Sequence, residues 1–182
     1  ESSAVPASES LVGRQLGQYQ LLGVIGRGGM GVVYTARHTR LEKLVAVKVL
    51  SLKRIDDPQM QMRFRREMKA AGTIVHPNVV HAMDAAAADD VHFLVMELID
   101  GVDLSALVKS HGHFSIGHAS EMIRMAAIGL EEIHRVGMVH RDIKPGNLFL
   151  SVDQTVRILD LGLAQDFGSE ENLTRELNER VL

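Results

Sequence analysis

The stretch from His140 to Asn147, which reads His-Arg-Asp-Ile-Lys-Pro-Gly-Asn, places three kinds of reactive or ligating side chain on one short turn. Asp142 can orient a hydroxyl group and accept its proton, and Lys144 can neutralise charge on a phosphoryl oxygen. Asn147 offers a neutral oxygen ligand for Mg²⁺, and Asp160, which is followed by Leu-Gly, offers an anionic one. Such a set predicts transfer of a phosphoryl group from ATP, because that reaction depends on positioning and charge neutralisation.

A glycine-rich segment lies nearer the N-terminus, where Gly26, Gly28 and Gly31 precede a valine pair that ends at Val33. Glycines let the backbone approach phosphate groups and point N–H groups at them. Taken alone, the segment also fits an ordinary glycine-rich hairpin. A dinucleotide-binding loop would be followed by a helix and a Walker loop would contain Gly-Lys-Ser/Thr. The strand that follows here favours a loop that covers nucleotide phosphates from a hairpin.

Lys48 ends the strand-like run 45–48, and Glu67 interrupts the apolar stripe of the helix predicted after it. Alternation along a strand places Ala46 and Lys48 on one face, where Ala46 leaves room for an adenine and Lys48 can reach the phosphates. The alternative is a solvent-exposed lysine on an edge strand. A carboxylate in an apolar stripe needs a cation, and Lys48 is the candidate partner of Glu67. An exposed pair with Arg63 is the alternative for Glu67.

Apolar patterns predict the elements that carry these residues in the first half of the chain. Short β-branched runs between 19 and 49, separated by glycines and charged turns, predict an antiparallel meander of three strands. Apolar residues at intervals of three or four predict an amphipathic helix over 56–75. Two further strands are predicted over 79–83 and 91–96. This half is therefore predicted to be a small sheet with one helix.

The second half of the chain has a helical character. Ser115 is a predicted N-cap. The apolar residues that follow it at helical spacing are Ile116, Ala119, Ile123, Ala126, Leu130 and Ile133. Segments 147–150 and 155–159 predict a short hairpin that holds the two catalytic motifs side by side. The whole pattern predicts an α+β fold.

Size and composition limit the class of protein. The chain has 182 residues, of which 46% are hydrophobic and 24% charged, so it can bury a core. A net charge of -3 gives no reason to expect nucleic acid as a partner, and no apolar run is long enough to span a bilayer. The absence of cysteine excludes disulfides and fits the cytoplasm, although an anchor outside this chain stays open. Residues 1–18 are predicted to be a disordered leader or linker.

From about Tyr19 onward, the glycine-rich loop, Lys48, the turn that contains Asp142 and the Asp160-Leu-Gly motif resemble the eukaryotic-like Ser/Thr protein kinases of bacteria. The resemblance implies a protein kinase-like fold with ATP and Mg²⁺ as cofactors and a protein Ser or Thr hydroxyl as acceptor. It implies an N-lobe over 19–99, with a five-stranded sheet and one helix of the αC type. A partial C-lobe over 100–182 would hold the catalytic loop, the Asp160 motif and the start of the activation segment.

The same resemblance implies roles for individual residues. Met96 corresponds to the gatekeeper, and the backbone of Glu97 to Ile99 to the hinge that binds adenine. Asp103 corresponds to the residue that contacts ribose, and Phe149 to the residue under the adenine. The complete set of nucleotide contacts implied is Ile25, Gly26, Gly28, Gly31, Val33, Ala46, Lys48, Met96, Glu97, Ile99, Asp103 and Phe149.

Further assignments concern catalysis and control. Asp142, Lys144, Lys48 and Glu67 form the implied catalytic set, with Asn147 and Asp160 as metal ligands. Lysine two residues after the catalytic aspartate is typical of Ser/Thr rather than Tyr kinases. The arginine before that aspartate can pair with a phosphate, and the candidate acceptors in the activation segment are Ser169 and Thr174.

The chain departs from the family pattern in two places. Leu161 stands where phenylalanine is more usual, which changes packing and leaves the metal role of Asp160 intact. A complete domain of this kind has roughly 250 residues, and the Ala-Pro-Glu motif and later helices are not present, so we expect a truncated portion of the domain. Three hypotheses stay open: a Ser/Thr kinase, a module that binds ATP without transferring phosphate, and an unstable remnant that acts through exposed apolar surface.

Overall fold

The computed structural model describes residues 10–28, 31–50, 66, 68–89 and 91–160. Within this part, one unit contains the residues up to 50 together with His81–Leu98, and a second unit contains the remainder. The chain therefore passes between the units more than once, and its last passage falls between Leu98 and Ile99.

The first unit is an antiparallel sheet of six strands in the order β1-β2-β3-β4-β6-β5. The predicted meander of three strands is confirmed by the antiparallel pairs β2–β3 and β3–β4. The sheet has six strands where five were predicted, because β1 at its N-terminal edge was not predicted. The strands are β1 (Gln15–Leu16), β2 (Tyr19–Gly28), β3 (Gly31–His38), β4 (Leu44–Leu50), β5 (Ala82–Ala88) and β6 (Val91–Glu97).

One face of this sheet carries its apolar core, because alternate residues of each strand point to the same side. Buried side chains of β3, β4 and β6 meet there with residues from β1 and β2. The hydroxyl of Tyr19 on β2 donates to Asp84 Oδ2 on β5 at 2.9 Å. This bond joins the second strand of the order to the last one. The core residues are Leu11, Leu16, Tyr19, Leu21, Tyr34, Ala36, Val45, Val47, Phe93 and Val95.

Residues 10–18 belong to the fold, which corrects the prediction of a disordered leader as far as position 18. Leu11 and Leu16 are buried in the core, and β1 pairs with the start of β2. The Leu11 N–H also donates to the hydroxyl of Tyr34 at 3.4 Å. Three apolar side chains in this segment were too sparse to indicate a strand, yet the core buries two of them, Leu11 and Leu16.

The strand predicted over 79–83 lies at 82–88, so the predicted bounds were wrong by several residues. Val79 and Val80 belong to the second unit, where Val79 forms a parallel bridge with Ile158 and the Val80 N–H donates to the Ile158 carbonyl at 3.0 Å. An apolar run indicates burial but cannot show against which partner the residues are buried.

Of the helix predicted over 56–75, the structure describes Arg66 and residues 68–71 as helical. The chain leaves the helix at Gly72, whose N–H donates to the Met68 carbonyl, so this helix ends earlier than predicted. Positions 56–65 and 67 lie outside the described residues.

Besides the helical residues 66 and 68–71, the described part of the second unit contains a three-stranded sheet and two further helices. Its strands are β7 (Gly101–Asp103), β8 (Leu148–Ser151) and β9 (Val156–Ile158), paired in that order and antiparallel. Its helices are α1 (Leu104–His111) and α2 (Ile116–Arg135), followed by a 3₁₀ turn over Pro145–Asn147. The predicted hairpin of 147–150 with 155–159 is confirmed as β8 and β9.

Helix α2 begins as predicted, because the Ser115 hydroxyl accepts from the His118 N–H. The predicted stripe is partly correct: Ala126 and Ile133 are buried, but Ile116 is 88% exposed and Ile123 is 57% exposed. The buried residues are Met122, Ala126, Gly129 and Ile133. A Cβ at Gly129 would lie 2.6 Å from the carbonyl oxygen of Asn78, so the absent side chain allows this face to pack closely.

Candidate active site

The catalytic turn, defined as His140–Asn147, is formed by contacts between residues near each other in the chain. The Asp142 N–H donates to the His140 carbonyl at 2.9 Å, and the Asn147 N–H donates to the Lys144 carbonyl at 2.9 Å. Arg141 has a φ of 62°, in the left-handed region that non-glycine residues seldom occupy. Such a backbone conformation persists only where the surroundings hold it, and it is frequent at functional sites.

Three predicted catalytic and metal-ligating side chains come together in this turn. Lys144 Nζ lies 2.6 Å from Asp142 Oδ2, and Asn147 Nδ2 donates to the same oxygen at 3.0 Å and to the Asp142 carbonyl at 2.7 Å. The hydrogen bond from Lys144 is the largest cause of a lowered pKa for Asp142; the bond from Asn147 adds to it, and burial opposes it. Asp142 is therefore a carboxylate at neutral pH.

Two hydrogen bonds to Leu159 bring the second acidic motif to this turn. The Leu159 N–H donates to the Asn147 carbonyl at 2.9 Å, and the Leu159 carbonyl lies 2.8 Å from His140 Nε2. A carbonyl can only accept, so His140 carries a proton on Nε2. Asp160 follows directly and has a φ of 50°, a second left-handed residue beside the turn.

His140 thus has a supporting role that the sequence analysis did not assign. Its ring is 1% exposed, and its Nδ1 accepts from the Asp142 N–H at 3.3 Å while its Nε2 reaches Leu159. One imidazole therefore contacts the backbone of both acidic motifs. Its position two residues before Asp142 was the available signal in the sequence, but the contact with Leu159 is visible only in the tertiary structure.

The donor set fits a magnesium ion. Both contacts of the Asn147 amide nitrogen are to Asp142, so its carbonyl oxygen is the atom that can coordinate a cation. Asp160 supplies an anionic oxygen, and hard cations prefer oxygen ligands of these two kinds. Among the described residues no group of three or more His, Asp or Glu forms a protein-only metal cluster. Mg²⁺ commonly uses one or two protein ligands together with phosphate oxygens, which agrees with this pair.

In the first unit, four of the predicted nucleotide contacts share the face of the sheet opposite its core, whereas Glu97 pairs with the core residue Val45. The register pairs Val33 with Lys48 and Ala46 with Met96. Residues that face each other across antiparallel strands lie on the same side of the sheet, so these four side chains form one surface. Gly26 pairs with Val33 and extends the surface onto β2.

Lys48 is 8% exposed and lies on β4, between β3 and β6. The alternative of an exposed lysine on an edge strand is therefore wrong. The predicted partner Glu67 lies outside the described residues, as do Leu161, Ser169 and Thr174.

The glycine hairpin has the conformation that its sequence requires at one position. Gly28 and Gly31 form its last described pair, and Gly31 has a φ of 140°. A Cβ at Gly31 would lie 2.0 Å from the carbonyl oxygen of Val49, so no other residue fits without displacement of the backbone. Ile25, just before the loop, is exposed.

Asp103 and Phe149 are cross-strand neighbours of β7 and β8 in the second unit. The Asp103 Oδ1 accepts from the Ala106 N–H at 2.8 Å and caps helix α1. This structural role was missed, although an aspartate before a helical run is a typical N-cap. Ile99 lies two residues before this strand, and Glu97 is the last residue of β6.

Comparison with known proteins agrees with this arrangement. Residues 19–181 match the family model described as a protein kinase domain. The chain is 37% identical over 174 residues to the Ser/Thr-protein kinase PknD of Mycobacterium tuberculosis, covering 96% of this chain and 26% of PknD. It thus spans about a quarter of the length of this relative.

Solved structures show the same fold. The M. tuberculosis PknI kinase domain superposes with a TM-score of 0.74 at 27% identity, over 85% of this chain and 62% of that one. Rad53 in complex with AMP-PNP matches with a TM-score of 0.72 at 28% identity, over 82% of this chain and 39% of that one. The chain belongs to the protein kinase family.

Proposed function

We propose that this chain is the nucleotide-binding and catalytic part of a protein Ser/Thr kinase, which transfers the γ-phosphoryl group of ATP to a protein hydroxyl. The observation that carries the proposal is the hydrogen-bonded group of Asp142, Lys144 and Asn147, joined through Leu159 to Asp160. This arrangement supplies a carboxylate, an ammonium and two oxygen ligands within one short segment.

Asp142 would orient the acceptor hydroxyl and take its proton as the bond to phosphorus forms. Its lowered pKa keeps it ionised but also makes it a weak base. A weak base suffices because the transition state of phosphoryl transfer is loose and the proton leaves late. Orientation of the hydroxyl is therefore its larger contribution.

Lys144 would stabilise negative charge on the transferred group. Its ammonium contacts Asp142 Oδ2 at 2.6 Å and half of its side chain is exposed, so a phosphoryl oxygen can approach it from solvent. When bound with ATP, Mg²⁺ supplies further neutralisation of phosphate charge, and Asn147 and Asp160 would hold it.

The first unit would bind the nucleotide. Val33, Ala46 and Met96 offer an apolar surface for the adenine, and buried Lys48 on the same face would contact the phosphates. The Rad53 structure contains AMP-PNP, an ATP analogue, which supports ATP as the phosphoryl donor for a related fold. Use of ATP in turn supports a cytoplasmic site of action.

The acceptor class is inferred from two observations. Lys144 lies two residues after the catalytic aspartate, and PknD is named a Ser/Thr-protein kinase.

None of the helices in the described ranges has the length and apolar content needed to cross a bilayer.

A second candidate function is binding of ATP without phosphoryl transfer. The surface of Val33, Ala46 and Met96 and the oxygen ligands Asn147 and Asp160 would by themselves support binding of ATP with Mg²⁺. Phosphoryl transfer requires in addition a bound protein acceptor.

The test is transfer of labelled phosphate from ATP and Mg²⁺ to a generic basic protein, followed by identification of the phosphorylated residue type. Phosphoserine or phosphothreonine is expected, and phosphotyrosine alone would contradict the proposed acceptor class. Lys48→Met should abolish both transfer and the thermal shift caused by ATP–Mg²⁺, whereas Lys109→Met on exposed α1 should change neither. A thermal shift without transfer would favour the second candidate, and neither signal would overturn both.

A further inference from the structure

Glu97 is connected to His81 by two hydrogen bonds that run in opposite directions. The backbone N–H of Glu97 donates to the His81 carbonyl at 3.1 Å. The backbone N–H of His81 donates to the side-chain Oε1 of Glu97 at 2.8 Å. In a regular antiparallel pair both bonds join backbone groups. Here a carboxylate is one of the acceptors, and a bond to an ionised acceptor is stronger than a neutral one.

These bonds lie at the end of the β4–β6 pairing and beside an irregularity in the β5–β6 pairing. Glu97 is the last residue of β6, and its pair with Val45 is the last between β4 and β6. The ladder between β5 and β6 has a register shift between Ala82 and Asp84, next to the His81 contact. An irregularity of this kind disrupts pairing locally. The Glu97 carboxylate therefore holds the end of β6 where backbone pairing alone is interrupted.

We propose that the Glu97 side chain is a positioning residue for the backbone of residues 97–99, and through it for adenine recognition. The inference rests on the proposed function, in which that backbone binds the adenine edge. Hydrogen bonds to a backbone edge depend on orientation, so loss of the tether should weaken recognition of adenine. The carboxylate acts through the backbone and need not contact the nucleotide itself.

The variant that tests the proposal is Glu97→Ala, because it removes the acceptor of the His81 N–H and retains the backbone bond. Loss of one such bond should raise the KM and the Kd for ATP about fivefold to tenfold, with kcat nearly unchanged. Glu97→Gln retains a side-chain oxygen and should recover most of the affinity. Glu131→Ala, which removes an exposed glutamate from α2, is the matched control and should leave ATP affinity unchanged.

A comparison of ATP with GTP separates positioning from general destabilisation. Both ligands carry the same triphosphate and ribose, but they present different base edges. A positioning role predicts that Glu97→Ala lowers affinity for ATP more than affinity for GTP, as measured by displacement of a fluorescent ATP analogue. Equal losses for both nucleotides would overturn the inference.

The outcomes distinguish this inference from the function on which it rests. If the unaltered protein binds no ATP, the proposed function fails and the inference fails with it. If the unaltered protein binds ATP and Glu97→Ala binds it equally tightly, only the inference fails. A loss that Glu97→Gln does not recover would also contradict it, since the amide can accept the same bond.

Discussion

The catalytic turn and the nucleotide-binding face differ in the distance along the chain over which they are built. Asp142 meets Lys144 and Asn147 within five residues, through contacts that one short turn can form. The surface of Val33, Ala46 and Met96 joins residues from three strands and depends on their register. We therefore expect the proposed chemistry to depend on local geometry, and the proposed nucleotide recognition to depend on long-range pairing. Substitutions in the two regions should have separable effects.

The largest expected effect comes from Asp142→Asn. The amide retains the size of the side chain but cannot accept the hydroxyl proton, so kcat should fall about 10²-fold to 10⁴-fold. ATP affinity should remain within about twofold, because the nucleotide face does not include this residue. Steady-state kinetics and ATP titration measure the two quantities.

The matched control is Asp153→Asn, which alters a carboxylate of the same unit that contacts Ser151 and Arg157. It should leave kcat close to that of the unaltered protein. If Asp142→Asn weakened ATP binding as strongly as it slowed transfer, the separation of the two regions would be wrong.

A second prediction concerns the close packing of α2 against Asn78 and its contribution to the stability of the fold. Gly129→Ala places a Cβ 2.6 Å from the Asn78 carbonyl, which itself accepts from the Ile158 N–H. The free energy of unfolding should fall by about 1–3 kcal/mol, as in other overpacked positions. Chemical denaturation followed by circular dichroism measures the change.

Gly117→Ala on the same helix is the control, since a Cβ there would meet nothing within 4 Å. It should leave stability unchanged or raise it by up to about 1 kcal/mol, because alanine favours helix over glycine. Equal changes in the free energy of unfolding for the two variants would show that the close packing of α2 against Asn78 does not contribute to stability.

A third prediction concerns the support behind the nucleotide face. Tyr19→Phe removes the bond to Asp84, and the free energy of unfolding should fall by about 1.5–3 kcal/mol because the acceptor is a carboxylate. Burial, followed by the Asp84 contact, raises the pKa of Tyr19 to about 12 from 10.0. Since the folded pKa is raised, this stabilisation is complete below pH 10 and is lost as the pH rises towards 12.

The stability difference between the two proteins should accordingly shrink over that interval of pH. The control Tyr34→Phe removes the other tyrosine hydroxyl, whose contact with the Leu11 N–H is a longer 3.4 Å, and should cost less. A Tyr19→Phe protein as stable as the unaltered one would mean that the link between β2 and β5 contributes nothing.

The smallest expected effect is a shift in pH dependence within the turn. Lys144→Met removes the largest cause of the lowered pKa of Asp142, so that pKa should rise. In the variant, Asp142 would take up a proton at a higher pH than in the unaltered enzyme. The acidic limb of the pH profile of kcat/KM should therefore move to higher pH. Lys109→Met should leave the limb in place. An unmoved limb in Lys144→Met would show that this carboxyl does not control the profile.

Several local contacts and hairpins could be predicted from the sequence, although the Asp103 cap of α1 was missed, and the main failures concern long-range packing. The catalytic turn and the Ser115 cap were predicted because their partners lie within a few residues. The strand expected at 79–83 was displaced because Val79 and Val80 pack in the second unit. Residues 10–18 were assigned to a leader because three scattered apolar residues do not reveal the core in which Leu11 and Leu16 are buried.

The order and chemical types of the residues by themselves predicted a turn suited to phosphoryl transfer, a glycine hairpin and a lysine on a strand. Only the tertiary structure decided the register that places Lys48 beside Val33, the bonds through Leu159 that join Asp160 to the turn, and the face of α2 that is buried. The physical reason is that periodicity encodes which residues avoid water. The choice of partner depends on shape, such as the space left at Gly129, and on hydrogen bonds between distant backbone groups.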